Sequence, residues 1–356
     1  MDFENVQYIS EEEHRELIKR CHPQKGDVLY TKVGTTGIAR AIDTNQEFSI
    51  FVSVALLRPD RNEVIHEYLE KVLNSPICRE QAKALTQGVG NQNLVIKDLK
   101  RIEFPLSPLP EQKRIAAKIQ DLMQEVERAR TACEKQLEAA KALPAAYLRG
   151  VFEGEEAKKW ERKKLEEIAK VFAGSSAPQE SKYFKNGKYP FVRVQDLGRY
   201  RKTIDLKDIK DCINDVAIKE LSLIKAEKGV ILFPKSGAAI TTNSRAILGI
   251  NAFIVSHLAA LKPKVEIADN HFLYYWLCLR DMARHMENPG YPSLKLSTIS
   301  KILVPLPSLN IQHRIASQLK EKMAEVEKLR TGIEKQLEAI TALPQSILRK
   351  AFKGEL

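Results

Sequence analysis

From Glu111 to Lys141 the chain runs without glycine or proline, and apolar side chains return at Ile115, Ile119, Leu122, Val126, Ala129 and Cys133, then at Leu137 and Ala140. Steps of four and three draw one stripe down a helix, with Glu, Lys and Arg on the remaining faces. The same stripe returns at Ile315, Leu319, Val326, Leu329, Ile333 and Ile340, with Met123 and Met323 beside the seam. Pro110 precedes the first helix. Pro144 and Pro344 are expected to close each long run and to open a short following helix. A run of that length, at ~1.5 Å per residue, makes roughly 46 Å of rod.

The second stripe is a copy of the first. Residues 104–155 align without a gap on 304–355, an offset of 200, with about half of the positions identical. A fainter match precedes it: KGDVLYTKVG from Lys25 faces KGVILFPKSG from Lys228 at an offset of 203, and the offset is again 200 at Gly90 and Gly290. An internal repeat on this scale marks duplicated structural units. The plan it predicts is a globular domain over 1–104, a helix over 105–150, a second globular domain over 151–305 and a second helix over 306–356. Two matching helices, each following a matching domain, are expected to pair with one another around a pseudo-twofold axis rather than only with their own domains. The second globular region begins near Trp160, and nothing before Met1 faces its opening segment, so the first domain is expected to be incomplete at its N terminus.

Within the second globular region, Lys164 to Ala169 reads as a short helix, followed by a polar Gly/Ser/Pro stretch from Gly174 to Ser181. Tyr189 to Val194 and Gly229 to Phe233 are short, β-rich runs, and Phe272 to His285 reads as a helix with a strongly apolar face. The fold class is therefore α+β: two mixed α/β domains, the first incomplete, separated by two long helices paired as an antiparallel coiled coil.

The order of these segments carries a resemblance. WERKKLEEIAKVFAG, YPFVRVQDL, KGVILFPKSGA and the closing LVPLPSLNIQHRIASQL follow one another as in a target recognition domain and its conserved helix. The first half repeats the later pieces as KGDVLYTKVGTTG and IEFPLSPLPEQKRIAAKI. The whole chain thus resembles the specificity subunits of type I restriction-modification systems, departing from them in having no counterpart of YPFVRVQDL in its first half. That resemblance implies a non-catalytic subunit in which each recognition domain reads one half of a bipartite site on double-stranded DNA. It further implies that the paired helices act as a spacer and dock methyltransferase and restriction subunits. A truncated first domain leaves open an inactive subunit, or self-association of truncated copies through the intact second half. A helical scaffold that does not touch DNA is the different-class alternative.

Charge sharpens the picture only through its distribution. The net +11 resolves into 14 Lys/Arg against 16 Asp/Glu over 1–104, and 24 against 15 over 160–305, so the basic excess sits in the second domain. Cations there can neutralise phosphates, whereas Arg, Lys, Asn and Gln on loops can read base edges. Lys32 and Lys235 with Ser236 occupy Lys-x-Gly turns after β-rich runs, where glycine permits close approach to a ligand. Arg40 and Arg245 follow matching polar loops. Arg193 with Gln195 is placed where a strand gives way to a loop, Arg193 having Asp196 as a possible partner. Lys182, Lys185, Lys188 and Tyr189, with Arg199, Arg201 and Lys202, have the mixed cationic and aromatic composition of a phosphate-contacting surface. For each of these, an ordinary solvated or structural side chain is the competing reading.

The five cysteines are scattered and read as reduced. No apolar run approaches the ~20 residues of a membrane span, so a cytoplasmic protein without a membrane partner is expected. The seven histidines lack metal-ligand spacing and no GxxxxGK[ST] loop is present, so no metal or other cofactor is expected. Asn288-Pro289-Gly290-Tyr291 loosely echoes an amino-methyltransferase motif. Pro59-Asp60 with Asp98-Leu99-Lys100 loosely echoes a nuclease. Neither has the companion motifs that its chemistry requires.

Overall fold

The computed structural model describes residues 3–88, 92–199, 204–286 and 292–356. The chain divides into two compact units, Met1–Leu137 with Gly332–Leu356, and Glu138–Thr331.

Unit 1 opens with α1 (Glu11–Arg20), capped by the Ser10 hydroxyl on the Glu13 amide. Strands β1 (Val28–Thr31), β2 (Ala39–Ala41) and β3 (Val54–Leu57) form an antiparallel sheet in the order β2-β1-β3. Helices α2 (His66–Leu73), α3 (Pro76–Leu85) and α4 (Ile96–Leu99) follow, and then α5 (Leu109–Phe152). Val28 and Tyr30 alternate inward along β1 to a core that also holds Tyr68, Leu69, Val72 and Leu99. That period of two is what a half-covered strand requires.

Unit 2 has more layers. After α5 come α6 (Glu155–Lys158), β4 (Glu161–Lys164), α7 (Leu165–Ile168), β5 (Ala169–Ala173), β6 (Tyr189–Val192), α8 (Val194–Arg199), β7 (Asp205–Leu206) and β8 (Cys212–Ile213). The chain continues through α9 (Asp215–Glu220), β9 (Lys225–Ala226), β10 (Ile231–Pro234), β11 (Ala246–Leu248), β12 (Ala252–Ile254) and β13 (Leu258–Pro263). It ends in α10 (Asn270–Leu279), α11 (Leu296–Ser300), β14 (Leu303–Leu306) and α12 (Leu309–Phe352). A five-stranded sheet runs β5-β13-β10-β11-β7, a four-stranded one β8-β6-β12-β9, and β14 pairs with β4. β10 is buried throughout because its sheet is covered on both faces. Ile231 and Phe233 enter one core, and Leu232 enters the other.

The repeat is visible in the hydrogen bonds. Gly26 N–H donates to Ile42 O and Gly229 N–H to Leu248 O, while Leu94 N–H donates to Lys32 O and Leu294 N–H to Lys235 O. Residues Val54-Ala55-Leu56-Leu57-Arg58-Pro59 take the place in unit 1 that Leu258-Ala259-Ala260-Leu261-Lys262-Pro263 take in unit 2, each paired to its central strand in the same register.

Both long helices are fixed at their first turn by a fully buried glutamine. Gln112 Nε2 donates to Glu63 O and Ser107 O at 2.7 Å each, and its Oε1 accepts from Ile65 N–H at 3.0 Å. Gln312 repeats this with Ile267 O, Pro307 O and Asp269 N–H, all at 2.9 Å. The far ends exchange partners. Leu348, Ala351 and Phe352 of α12 lie in the unit 1 core beside Ala116 and Ile119 of α5. Leu148 and Phe152 of α5 lie in the unit 2 core with Ile315, Ala316 and Leu319 of α12. Within each unit the start of one long helix therefore packs with the end of the other, which makes the pair antiparallel.

The expected stripe is buried at Ile119, Cys133, Ile315, Leu319, Val326 and Ile333, and half-buried at Ile115, Leu122, Val126, Leu137 and Ile340. Leu329 departs from it: its side chain is 49% exposed, because the burial steps from Val326 to half-buried Arg330 and then to Ile333. The prolines also depart from expectation. Both helices continue through Pro144 and Pro344 to Phe152 and Phe352. A mid-helix proline forfeits a backbone bond, and here the burial of the following Leu and Phe side chains offsets that loss. The helix expected over 272–285 ends at Leu279, and a separate 3-10 turn spans Met282–His285.

Replacing Gln112 or Gln312 by Leu removes three hydrogen bonds and strands one buried amide and two carbonyls. Each substitution is expected to lower stability by about 2–3 kcal/mol in urea unfolding. Losses under about 0.5 kcal/mol, the range of ordinary surface substitutions, would show that the clamp does not hold the helix.

Candidate nucleic-acid interface

The two Lys-x-Gly turns have a common build. Gly34 and Gly237 both have positive φ, 76° and 74°, which favours glycine. Gly34 N–H donates to Gln92 O at 2.9 Å and Gly237 N–H to Pro292 O at 2.8 Å. Each turn is therefore held by main-chain bonds rather than by its lysine side chain. Lys32, Lys235 and Ser236 are half-buried, and Ser236 Oγ lies 2.6 Å from His257 Nδ1. In unit 1 the turn from Gly34 to Thr36 opens on a cleft of about 570 Å³ that is also lined by Arg79, Lys83, Gln92 and Arg349, with Glu80 as the acid among them. Arg79, Lys83 and Arg349 belong to no motif that sequence reading singled out. Helical spacing brings Arg79 and Lys83 to one face of α3, but only the exchange of helix ends adds Arg349.

Arg40 and Arg245 part company. Both begin an Arg-Ala-Ile triplet, yet Arg40 pairs opposite Leu29 in β1, whereas in unit 2 Ala246 takes that place, opposite Leu232. A shift of one residue turns a strand side chain to the opposite face. Arg40 is exposed and 3.5 Å from Glu70. Arg245 is only 5% exposed and lies over the Phe233 ring at 5.2 Å. It donates to Ser244 O at 2.7 Å and Asn243 Oδ1 at 2.6 Å, and burial pulls its pKa down to about 10. It is an internal brace, not a surface cation on a reading loop.

The cationic and aromatic cluster of unit 2 is interleaved with acids. Lys182 lies 3.1 Å from Glu220 and 3.5 Å from Glu180, and sits over the Tyr183 ring. Its hydrogen bond to Glu220, then that to Tyr183, raises its pKa. Lys188 is 3.5 Å from Asp215, and the Tyr189 hydroxyl donates to the same carboxylate at 2.8 Å. Those contacts, Tyr189 first, hold Asp215 below the usual carboxylate range. Arg193 pairs with Asp211 at 2.5 Å rather than with Asp196, whose carboxylate instead accepts from the Arg193 amide at 2.7 Å. Its guanidinium lies 5.7 Å from the ring centres of both Phe184 and Phe191. No loop opens there: Val194 starts α8, with Gln195 exposed on it. Lys185 is exposed and makes no ion pair with a described residue. Arg201 and Lys202, and the side chain of Arg199, lie outside the described residues, as does the whole Asn288–Tyr291 segment.

The carboxylates of the nuclease-like pieces are each held by local bonds. Asp98 is buried and bonded to Arg101 at 3.1 Å and Gln87 at 3.4 Å, while Asp60 accepts from the Asn62 amide at 2.9 Å. Among the described residues no group of three His, Cys, Asp or Glu side chains is placed to hold a metal ion, and no helix is long and apolar enough to cross a membrane.

Comparison with known proteins agrees with the duplicated plan. The family model described as the type I restriction modification DNA specificity domain matches residues 4–138 and 157–339. The chain is 28% identical to the type I restriction enzyme MjaIX specificity subunit of Methanocaldococcus jannaschii over 98% of its own length and 81% of that protein. It is 27% identical to the EcoBI specificity subunit of Escherichia coli over 77% of its length and 62% of that protein. In fold it resembles the HsdS subunit from Thermoanaerobacter tengcongensis, with a TM-score of 0.67 at 22% identity over 94% of this chain and 82% of that one. A chain from a structure describing complex assembly and conformational transition of the type I R-M system gives 0.72 at 22% identity, over 94% and 83%. With both repeats matched and most of its residues covered, the chain belongs to the type I restriction-modification DNA specificity family.

Proposed function

We propose that this chain is the sequence-reading subunit of a type I restriction-modification complex. It binds double-stranded DNA at a bipartite site and docks methyltransferase and restriction subunits without performing chemistry itself. The observation that carries the reading is the duplication: two units of common plan, each with a backbone-held Lys-x-Gly turn, joined by two helices that start and end under the same constraints. Such a build suits a protein that reads two half-sites and fixes the spacing between them. The names of its relatives, specificity subunits of type I restriction enzymes, support the same role.

For DNA contact we assign Lys32, Lys83 and Arg349 in unit 1, and Lys185, Gln195, Lys235 and Ser236 in unit 2. Arg245 is left out because its guanidinium is spent internally. Lys182, Lys188 and Arg193 are assigned to positioning, since an acid stands beside each. Phosphate-directed cations release counterions on binding, so affinity for duplex DNA is expected to fall by about 10³-fold between ~50 and ~200 mM salt. A scaffold that does not touch DNA shows no such loss. Lys185→Ala and Lys235→Ala are each expected to reduce the slope of log affinity against log salt by about one, whereas Arg245→Met lowers stability and leaves that slope unchanged. An unaltered slope for both lysine variants would remove them from the interface.

The helices supply the second test. Seven residues inserted into each long helix, after Glu127 and after Glu327, add about 10.5 Å of rise while preserving the stripe. In cells carrying the partner methyltransferase, mapped methylation is expected to show both half-sites unchanged and the gap between them longer by about three base pairs. An unchanged gap in a still active complex would count against the spacer role.

A further inference from the structure

The two units differ at one edge of their shared sheet. In unit 2 the outer edge of β13 is paired with β5, Leu261 opposite Val171 and Ala260 opposite Phe172. Just before it, β4 pairs with β14, and α7 between them buries Leu165 and Ile168 completely. In unit 1 the strand in the place of β13 is β3, and among the described residues no strand pairs with its outer edge. The segment in the place of β14, from Glu103 to Leu106, has no strand partner either. Leu106 is 54% exposed, whereas Leu306 is 7% exposed.

Between these two open edges lies a cavity of about 650 Å³. Leu57, Leu69, Leu73, Leu99, Ile102 and Phe104 are among its lining residues. By the repeat, their counterparts are Leu261, Leu273, Leu277, Ile299, Ile302 and Val304. All six belong to, or pack against, the core that encloses Leu165 and Ile168 in unit 2. The cavity therefore stands where those two side chains would be. Helix α1 reaches its rim through Leu17 and Arg20 but buries none of its own residues. Charge agrees with the same occupant. In unit 2 Lys164 stands opposite Leu303, and unit 1 has Glu103 in the place of Leu303.

We propose that this face of unit 1 is a strand-acceptor site for a polypeptide segment with the pattern of residues 161–173: a basic strand, a Leu-x-x-Ile turn of helix and an apolar strand. The first strand adds to Glu103–Leu106. The Leu and Ile fill the cavity. The second strand completes the sheet antiparallel to β3, placing a Val-like residue opposite Leu57. Main-chain bonds along the edges supply affinity, and the two apolar anchors supply selectivity.

The test adds a labelled synthetic peptide spanning residues 160–174 of this sequence to the full chain, with hydrogen exchange as the readout of position. The expected result is saturable one-to-one binding, with slowed amide exchange in Val54–Leu57 and at Phe104, and none in Leu258–Pro263. A peptide carrying Leu165→Asp and Ile168→Asp is expected to bind at least about 100-fold more weakly, since both anchors lose their apolar burial. No binding, equal binding of the doubly substituted peptide, or protection confined to unit 2 would overturn the proposal.

Discussion

A single buried amide at the first turn of each long helix carries the rest of the architecture. Gln112 and Gln312 each satisfy one main-chain N–H and two carbonyls that belong to loops of the globular part. No other side chain does this as well. A carboxylate at the same place offers acceptors but no donors, and an aliphatic chain leaves three buried polar groups without partners. Because the amide bonds at both ends of its dipole, it fixes the position of the first turn and also its rotation. Rotation decides which face of the helix points along the apolar stripe, so the clamp sets the phase of everything downstream.

That phase is used at the far ends, where Phe152 stacks edge-on to Phe272 at 5.2 Å and Phe352 edge-on to Tyr68 at 5.3 Å. Each such ring, with the leucine one turn before it, contributes about 2–3 kcal/mol of apolar burial per side chain. These residues enter cores to which the other long helix contributes its opening turns. Neither core is complete from sequence-contiguous residues alone, so the folding of each unit is tied to the helix that begins in the other. The proline inside each helix, eight residues before the phenylalanine, is tolerated under that anchoring.

The stripe and the repeat were legible in the sequence because they rest on period and offset, which need no knowledge of neighbours. What escaped depends on register or on partners distant in sequence. Arg-Ala-Ile occurs in both halves, but its pairing differs by one residue, and so Arg40 faces out and Arg245 faces in. Leu329 fits the stripe as well as Arg330 does, and only the packing shows that the seam passes through Arg330. The glutamines sit among charged residues at the start of a polar-looking helix turn, and nothing in periodicity distinguishes them from surface positions. Their one signal was identity across the repeat at 112 and 312, between neighbours that differ, Glu111 and Lys113 facing Ile311 and His313.

The same lesson governs the charged surface. A basic excess over 160–305 reads from sequence as a footprint for phosphate, yet Lys182, Lys188 and Arg193 each stand within 3.5 Å of a carboxylate. The exposed pairs of Lys182 and Lys188 contribute little to stability, so they are not there to hold the fold. Their effect is to cancel local field and to fix the direction of each cation. A patch built in this way gains less from counterion release than its lysine content promises, and it repels a phosphate that arrives out of place. Under the proposed function, affinity falls to the cations that stand apart from acids, such as Lys185, while the paired ones and the rings beneath them supply shape. For that proposed function, discrimination between DNA sequences, restraining the non-specific term in this way widens the margin between right and wrong sites.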